Sequence, residues 1–112
     1  MSNDNLQTLN RATFDTLALG GRGPIVVEFM SYSCAYCGVI EPALQQVASA
    51  LKSTETMFRV NVTLEPDLAL QWGVQATPTL VMLLDGREVG RVEGPSPHVS
   101  SLLSVVTEPF GS

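Results

Sequence analysis

The sequence is poor in basic side chains: six Lys and Arg stand against eleven Asp and Glu, a net charge of −5 over 112 residues. That balance argues against a phosphate backbone or an anionic membrane as partner. No apolar run approaches the length of a membrane span, and the N-terminus, Met1-Ser2-Asn3-Asp4-Asn5, lacks the basic and apolar regions of a secretory signal. A natural start at Met1 places the protein in the cytoplasm; a signal peptide removed ahead of it would allow the periplasm. Repeats, low-complexity tracts and linkers are missing too, so 1–112 reads as one domain, expected to act as a monomer. With 45% apolar and only 15% charged residues, disorder is excluded.

Cysteine is scarcer still: there are two, Cys34 and Cys37, and a single histidine, His98. A bridge between such close neighbours closes too short a loop to restrict much of the unfolded chain, so a structural staple is a poor reading. Tetrahedral zinc needs four ligands, and two cysteines with one distant histidine would require a second copy of the chain to supply them. No bound metal or cofactor is expected.

What is present divides into elements by its periodicity. Leu6 to Leu9 is a weak short strand, and Asn10 is placed to cap a helix running to about Leu19, with Phe14, Leu17 and Leu19 supplying apolar contacts. Gly20-Gly21-Arg22-Gly23 ends it. Pro24 to Ser31 is a continuous β-branched and aromatic run, the mark of a central strand buried on both faces. From Cys34 the residues Ile40, Leu44, Val47 and Leu51 recur at helical spacing as far as Lys52, with Pro42 expected to kink the helix. Thr56 to Val62 is a second strand, and the helix between the two implies a parallel βαβ unit. Glu65-Pro66 opens a short helix through Trp72, closed by Gly73. Thr79 to Leu84 is a third strand, Asp85-Gly86 a hairpin turn, and Arg87 to Glu93 its antiparallel return. A last helix carries Leu102, Leu103 and Val106. The class is α/β, a mixed sheet with helices on both faces. Trp72 reads as a cover for the core and His98 as a surface residue at a helix start.

Cys34-Ala35-Tyr36-Cys37 follows the central strand and opens the long helix. A C-x-x-C pair beside a βαβ unit reads as a redox motif, with inert packing or half a metal site as the alternatives. The first cysteine sits beside free helix N–H groups and the positive end of the helix dipole, which stabilise a thiolate. Glu28 is the one charge in the buried strand. Burial raises the pKa of such a carboxyl and makes it a candidate proton acceptor for Cys37; Arg59 on the adjacent strand would pull the pKa back down.

In these motifs the chain resembles the thioredoxin family over nearly its whole length. The resemblance rests on Val27-Glu28-Phe29, Cys34 and Cys37, Pro42, Thr77-Pro78-Thr79, Asp85-Gly86 and Gly94, all at the family's spacings. It implies the thioredoxin fold and a thiol–disulfide oxidoreductase acting on protein thiols and disulfides. Cys34 would be the nucleophile, Cys37 the resolving thiol and Pro78 a cis-proline. Pro78 would present the Thr77 backbone to an extended segment of substrate. The implied electron donor is a thioredoxin reductase fed by NADPH.

The chain departs from the family at the substrate-facing surface. Ser33 replaces the usual Trp, and Ala35-Tyr36 replaces Gly-Pro. Ser33, Ala35, Tyr36 and Thr77 are therefore expected to set specificity. The family usually has Asp at the position of Glu28, whereas protein disulfide isomerase domains are similar to this chain in having Glu. Tyr36 is similar to the residue in glutaredoxin and bacterial disulfide isomerase motifs, and Thr77 to that of the isomerase. A glutaredoxin-like enzyme is one alternative, although Gly94 is followed by Pro95 where a paired glycine is usual. An oxidase or isomerase of exported proteins is another, and a non-catalytic binding module a third.

Overall fold

The computed structural model describes residues 4–111. Met1, Ser2 and Asn3, on which the reading of the N-terminus partly rests, lie outside the described residues. Five strands form one mixed sheet: β1 (Gln7–Thr8), β2 (Pro24–Met30), β3 (Thr56–Asn61), β4 (Thr79–Leu84) and β5 (Arg87–Glu93), ordered β1-β3-β2-β4-β5. The helices are α1 (Arg11–Thr13, continued by a π-helical stretch over Phe14–Leu19), α2 (Ala35–Leu51), α3 (Pro66–Gln71) and α4 (Val99–Thr107).

The apolar run of β2 takes the middle of the sheet, parallel to β3 and antiparallel to β4. Alternation along it divides the core in two. Val26 packs on one side with Ile40, Leu44 and Val47 of α2, Met57 of β3, Leu80 and Met82 of β4, and Leu102 and Val106 of α4. Ile25, Val27 and Phe29 pack on the other with Phe14, Ala18 and Leu68. Glu28 shares the α2 side with Val26, and the register sets it opposite Arg59 of β3 and Leu80 of β4. The pleat thus carries a carboxyl and a guanidinium into the same face of the core.

Asn10 caps α1 as expected, in a reciprocal box: its side chain accepts from the Thr13 N–H at 2.9 Å, and Thr13 Oγ1 accepts from the Asn10 N–H at 2.8 Å. The apolar face of the following stretch differs from the expected one. Phe14 is buried and the half-buried Leu19 packs against the core, but Leu17 is exposed, while Ala18 turns inward. The cause is the wider i→i+5 winding, which turns Leu17 away from the face that Phe14 and Ala18 share. On α4 the helical period points Leu102 and Val106 into the core and leaves Leu103 exposed. Asp85 and Gly86 both take positive φ (50° and 83°), the two-residue turn that joins antiparallel strands without splaying them. Trp72 covers the core edge-on to Phe14, with ring centroids 5.6 Å apart. His98 is the exposed N-cap of α4.

Candidate active site

The buried end of β2 delivers the chain to the start of α2, where Cys34 is the N-cap residue. A side chain there points at the unpaired N–H groups of the first turn. Cys34 Sγ accepts from the Cys37 N–H at 3.2 Å, and its thiol reaches the Thr77 carbonyl at 3.4 Å. Partial burial opposes ionisation of Cys34, but hydrogen bonding with the Cys37 thiol, Thr77 and the backbone of Cys37 and Tyr36 outweighs it and holds the thiol below its ordinary range. Cys37, one turn inside the helix, is 2% exposed. Burial, aided by its hydrogen bond with Cys34, pushes that thiol up to about 11. Two cysteines one turn apart are therefore chemically unlike: an accessible acidic thiol and a buried basic one.

Beneath the pair lies a cavity of about 190 Å³ whose lining includes Met30, Cys34, Cys37, Glu41 and Arg59. Glu28 is completely buried, and among the described residues neither of its carboxyl oxygens has a hydrogen-bond partner. Arg59 Nε lies 3.6 Å from Glu28 Oε1. Burial pushes the Glu28 carboxyl up to about 7; the Arg59 charge partly offsets this, and Glu41 and Asp4 add to it.

The Thr77–Pro78 peptide is cis, as the resemblance implies. Thr77 is half-buried beside Cys34 and Pro78 is buried. Ser33 and Ala35 are exposed. Tyr36, expected among the substrate-facing residues, is half-buried: it packs on the α2 side of the core and donates from its hydroxyl to the Pro95 carbonyl at 2.6 Å. Sequence reasoning missed Glu41 and Asp4. Glu41 Oε1 and Oε2 accept from Arg59 Nη2 at 3.0 and 2.8 Å, and Asp4 Oδ2 lies 3.5 Å from Arg59 Nη1. For Glu41 the signal was present, since it follows Cys37 by one helical turn and shares its face. Among the described residues no group of three or more His, Cys, Asp or Glu is placed to hold a metal ion, and no helix is long and apolar enough to cross a membrane.

The family profile described as Thioredoxin matches residues 5–108. The chain belongs to the thioredoxin family. A thioredoxin-like protein of Synechocystis is 32% identical over 83 residues, covering 74% of this chain and 79% of that one. Thioredoxin of Alicyclobacillus acidocaldarius is 32% identical over 90 residues, 80% of this chain and 85% of the relative. Thioredoxin M2, chloroplastic, of Arabidopsis thaliana is 28% identical over 96 residues; these are 86% of this chain but 52% of the relative, so the chain spans about half its length. The fold is the thioredoxin fold, and the activity is that of a thiol–disulfide oxidoreductase.

Proposed function

We propose that this family member reduces disulfides of other proteins through Cys34, with Cys37 resolving the intermediate and Glu28 accepting the Cys37 proton. The observation that carries this reading is the contrast between the two thiols: Cys34 acidified at the helix N-cap, Cys37 buried and pushed up to about 11. In the first step the Cys34 thiolate attacks one sulfur of a substrate disulfide. A mixed disulfide forms and the other substrate sulfur leaves as a thiolate, to be protonated by solvent. In the second, Cys37 gives up its proton to the Glu28 carboxylate and attacks Cys34 Sγ. The mixed disulfide breaks, the second substrate sulfur leaves as a thiolate that solvent protonates to complete the dithiol, and Cys34 and Cys37 end as a disulfide.

A carboxyl raised to about 7 suits that acceptor, because it is poised to take or give a proton at the working pH. Thr77 and Pro78 would offer backbone to an extended stretch of substrate, with Ser33, Ala35 and Tyr36 completing the contact surface. A thioredoxin reductase supplied with NADPH would restore the dithiol. We place the protein in the cytoplasm, where a reducing pool sustains that cycle, with 1–112 acting as one domain and as a monomer.

Insulin reduction coupled to such a reductase tests the reading. Wild type is expected to precipitate insulin chains and Cys34→Ser to be inactive; equal activity would contradict it. A second reading, oxidation or isomerisation of exported proteins, is favoured by Thr77 before the cis-proline and Tyr36 before the second cysteine. A Cys34–Cys37 potential at the oxidising end of the family range would select it.

A further inference from the structure

Arg59 is a buried cation, 3% exposed, with three carboxylates around it. They do not share it equally. Glu41 takes Arg59 Nη2 on both its oxygens, at 3.0 and 2.8 Å. Asp4 stands 3.5 Å from Nη1, and Glu28 stands 3.6 Å from an Nε that makes no hydrogen bond among the described residues. Glu41 is itself braced: Gln45, the next turn of α2, donates from Nε2 to Glu41 Oε2 at 2.8 Å and to Asp4 Oδ1 at 2.6 Å. Cys37, Glu41 and Gln45 therefore form one stripe along α2, and the cavity under the cysteines is lined by Cys37, Glu41 and Arg59 together.

We propose that Glu41 is a positioning residue of the exchange reaction: it holds the Arg59 guanidinium toward α2, and so leaves Glu28 without a hydrogen bond and free to take up the Cys37 proton. The proposal rests on the reading of Glu28 as that acceptor. The charged groups facing Glu28 are Arg59 from β3, Glu41 from α2 and Asp4 from the segment before β1. The other elements on that side contribute apolar residues, Leu80 from β4 and Leu102 and Val106 from α4. Without the Glu41 charge, the guanidinium has only a small gap to close before Nε donates to Glu28, and a carboxylate that accepts from a buried guanidinium holds its proton less tightly.

The test is the titration of the Glu28 carboxyl in the reduced full-length chain, followed by ¹³C-carboxyl NMR and assigned with Glu28→Gln, in wild type, Glu41→Gln and Glu41→Asp. Insulin-reduction rates are measured across the same pH range. Glu41→Gln is expected to lower the Glu28 midpoint by about one pH unit or more and to move the acid limb of the rate profile in the same direction. Glu41→Asp, which keeps the charge, is expected to restore most of both. Should Glu41→Gln fold poorly, Gln45→Ala, which removes the brace together with the side-chain bonds to Asp4 and Asn5 but keeps the Glu41 charge, is expected to shift the midpoint less but in the same sense. An unmoved midpoint overturns the hold of Glu41 on Arg59, and so does a lowered midpoint with an unmoved Arg59 Nε–H NMR signal, because loss of the Glu41 charge by itself also lowers the midpoint. A lowered midpoint with an unmoved rate profile overturns the acceptor role of Glu28 and leaves that hold in place.

Discussion

The Tyr36 hydroxyl and the Pro95 carbonyl, 2.6 Å apart, join the start of the cysteine helix to the loop that follows β5. That loop is also tied to the proline turn, because the Gly94 N–H donates to the Pro78 carbonyl at 2.9 Å. The circuit closes where Cys34 meets the Thr77 carbonyl. Three segments distant in sequence are thus laced into one rim around the reactive sulfur.

Tyr36→Phe keeps the ring packing and removes the tie. Loss of one such bond costs about 1 kcal/mol, or roughly a five-fold change in an equilibrium. The expected outcome is a KM for insulin raised by about that factor, with little change in the reduction of a small aromatic disulfide, which does not span the rim. Steady-state kinetics with the two substrates measures the split.

Glu28 makes stability fall as pH rises. Its carboxyl titrates near 4.5 when exposed and about 7 when folded, so the native state binds the proton more tightly than the unfolded chain does. Across that window the unfolded state carries fewer protons, and the stability contributed by the neutral form is present below 4.5 and lost as pH climbs through 7. Glu28→Gln, which cannot ionise, is expected to gain on wild type over the same interval, by up to ~3 kcal/mol at pH 8. Urea unfolding of both proteins at several pH values tests this; a constant difference would contradict it.

The two thiols differ enough to be labelled apart. Iodoacetamide at neutral pH is expected to modify the half-buried, acidified Cys34 of the reduced protein and spare Cys37, which is 2% exposed and raised to about 11. Peptide mapping by mass spectrometry reads the outcome.

Much of this site was legible in the residues because short-range rules control it. A β-branched run makes β2 central, and a cysteine before an amphipathic helix becomes an N-cap. A lone Glu in that strand must be buried, and strand pairing brings Arg59 opposite it. The unread parts depend on other information. The wide winding of Phe14–Leu19 leaves no trace in apolar spacing, which points Leu17 to the core and says nothing of Ala18. Glu41 was readable from its helical offset to Cys37, but charged residues on a helix usually face water, and only the Arg59 contact reveals its direction. The Tyr36–Pro95 bond spans 59 residues, beyond any local pattern.

The central claim, that Cys34 attacks and Cys37 resolves, is tested most directly by trapping the intermediate. Mixing reduced Cys37→Ser with a protein disulfide is predicted to accumulate a covalent one-to-one adduct joined through Cys34 and released by dithiothreitol, whereas reduced Cys34→Ser forms none. An adduct of equal yield from both variants, or from neither, would contradict the account.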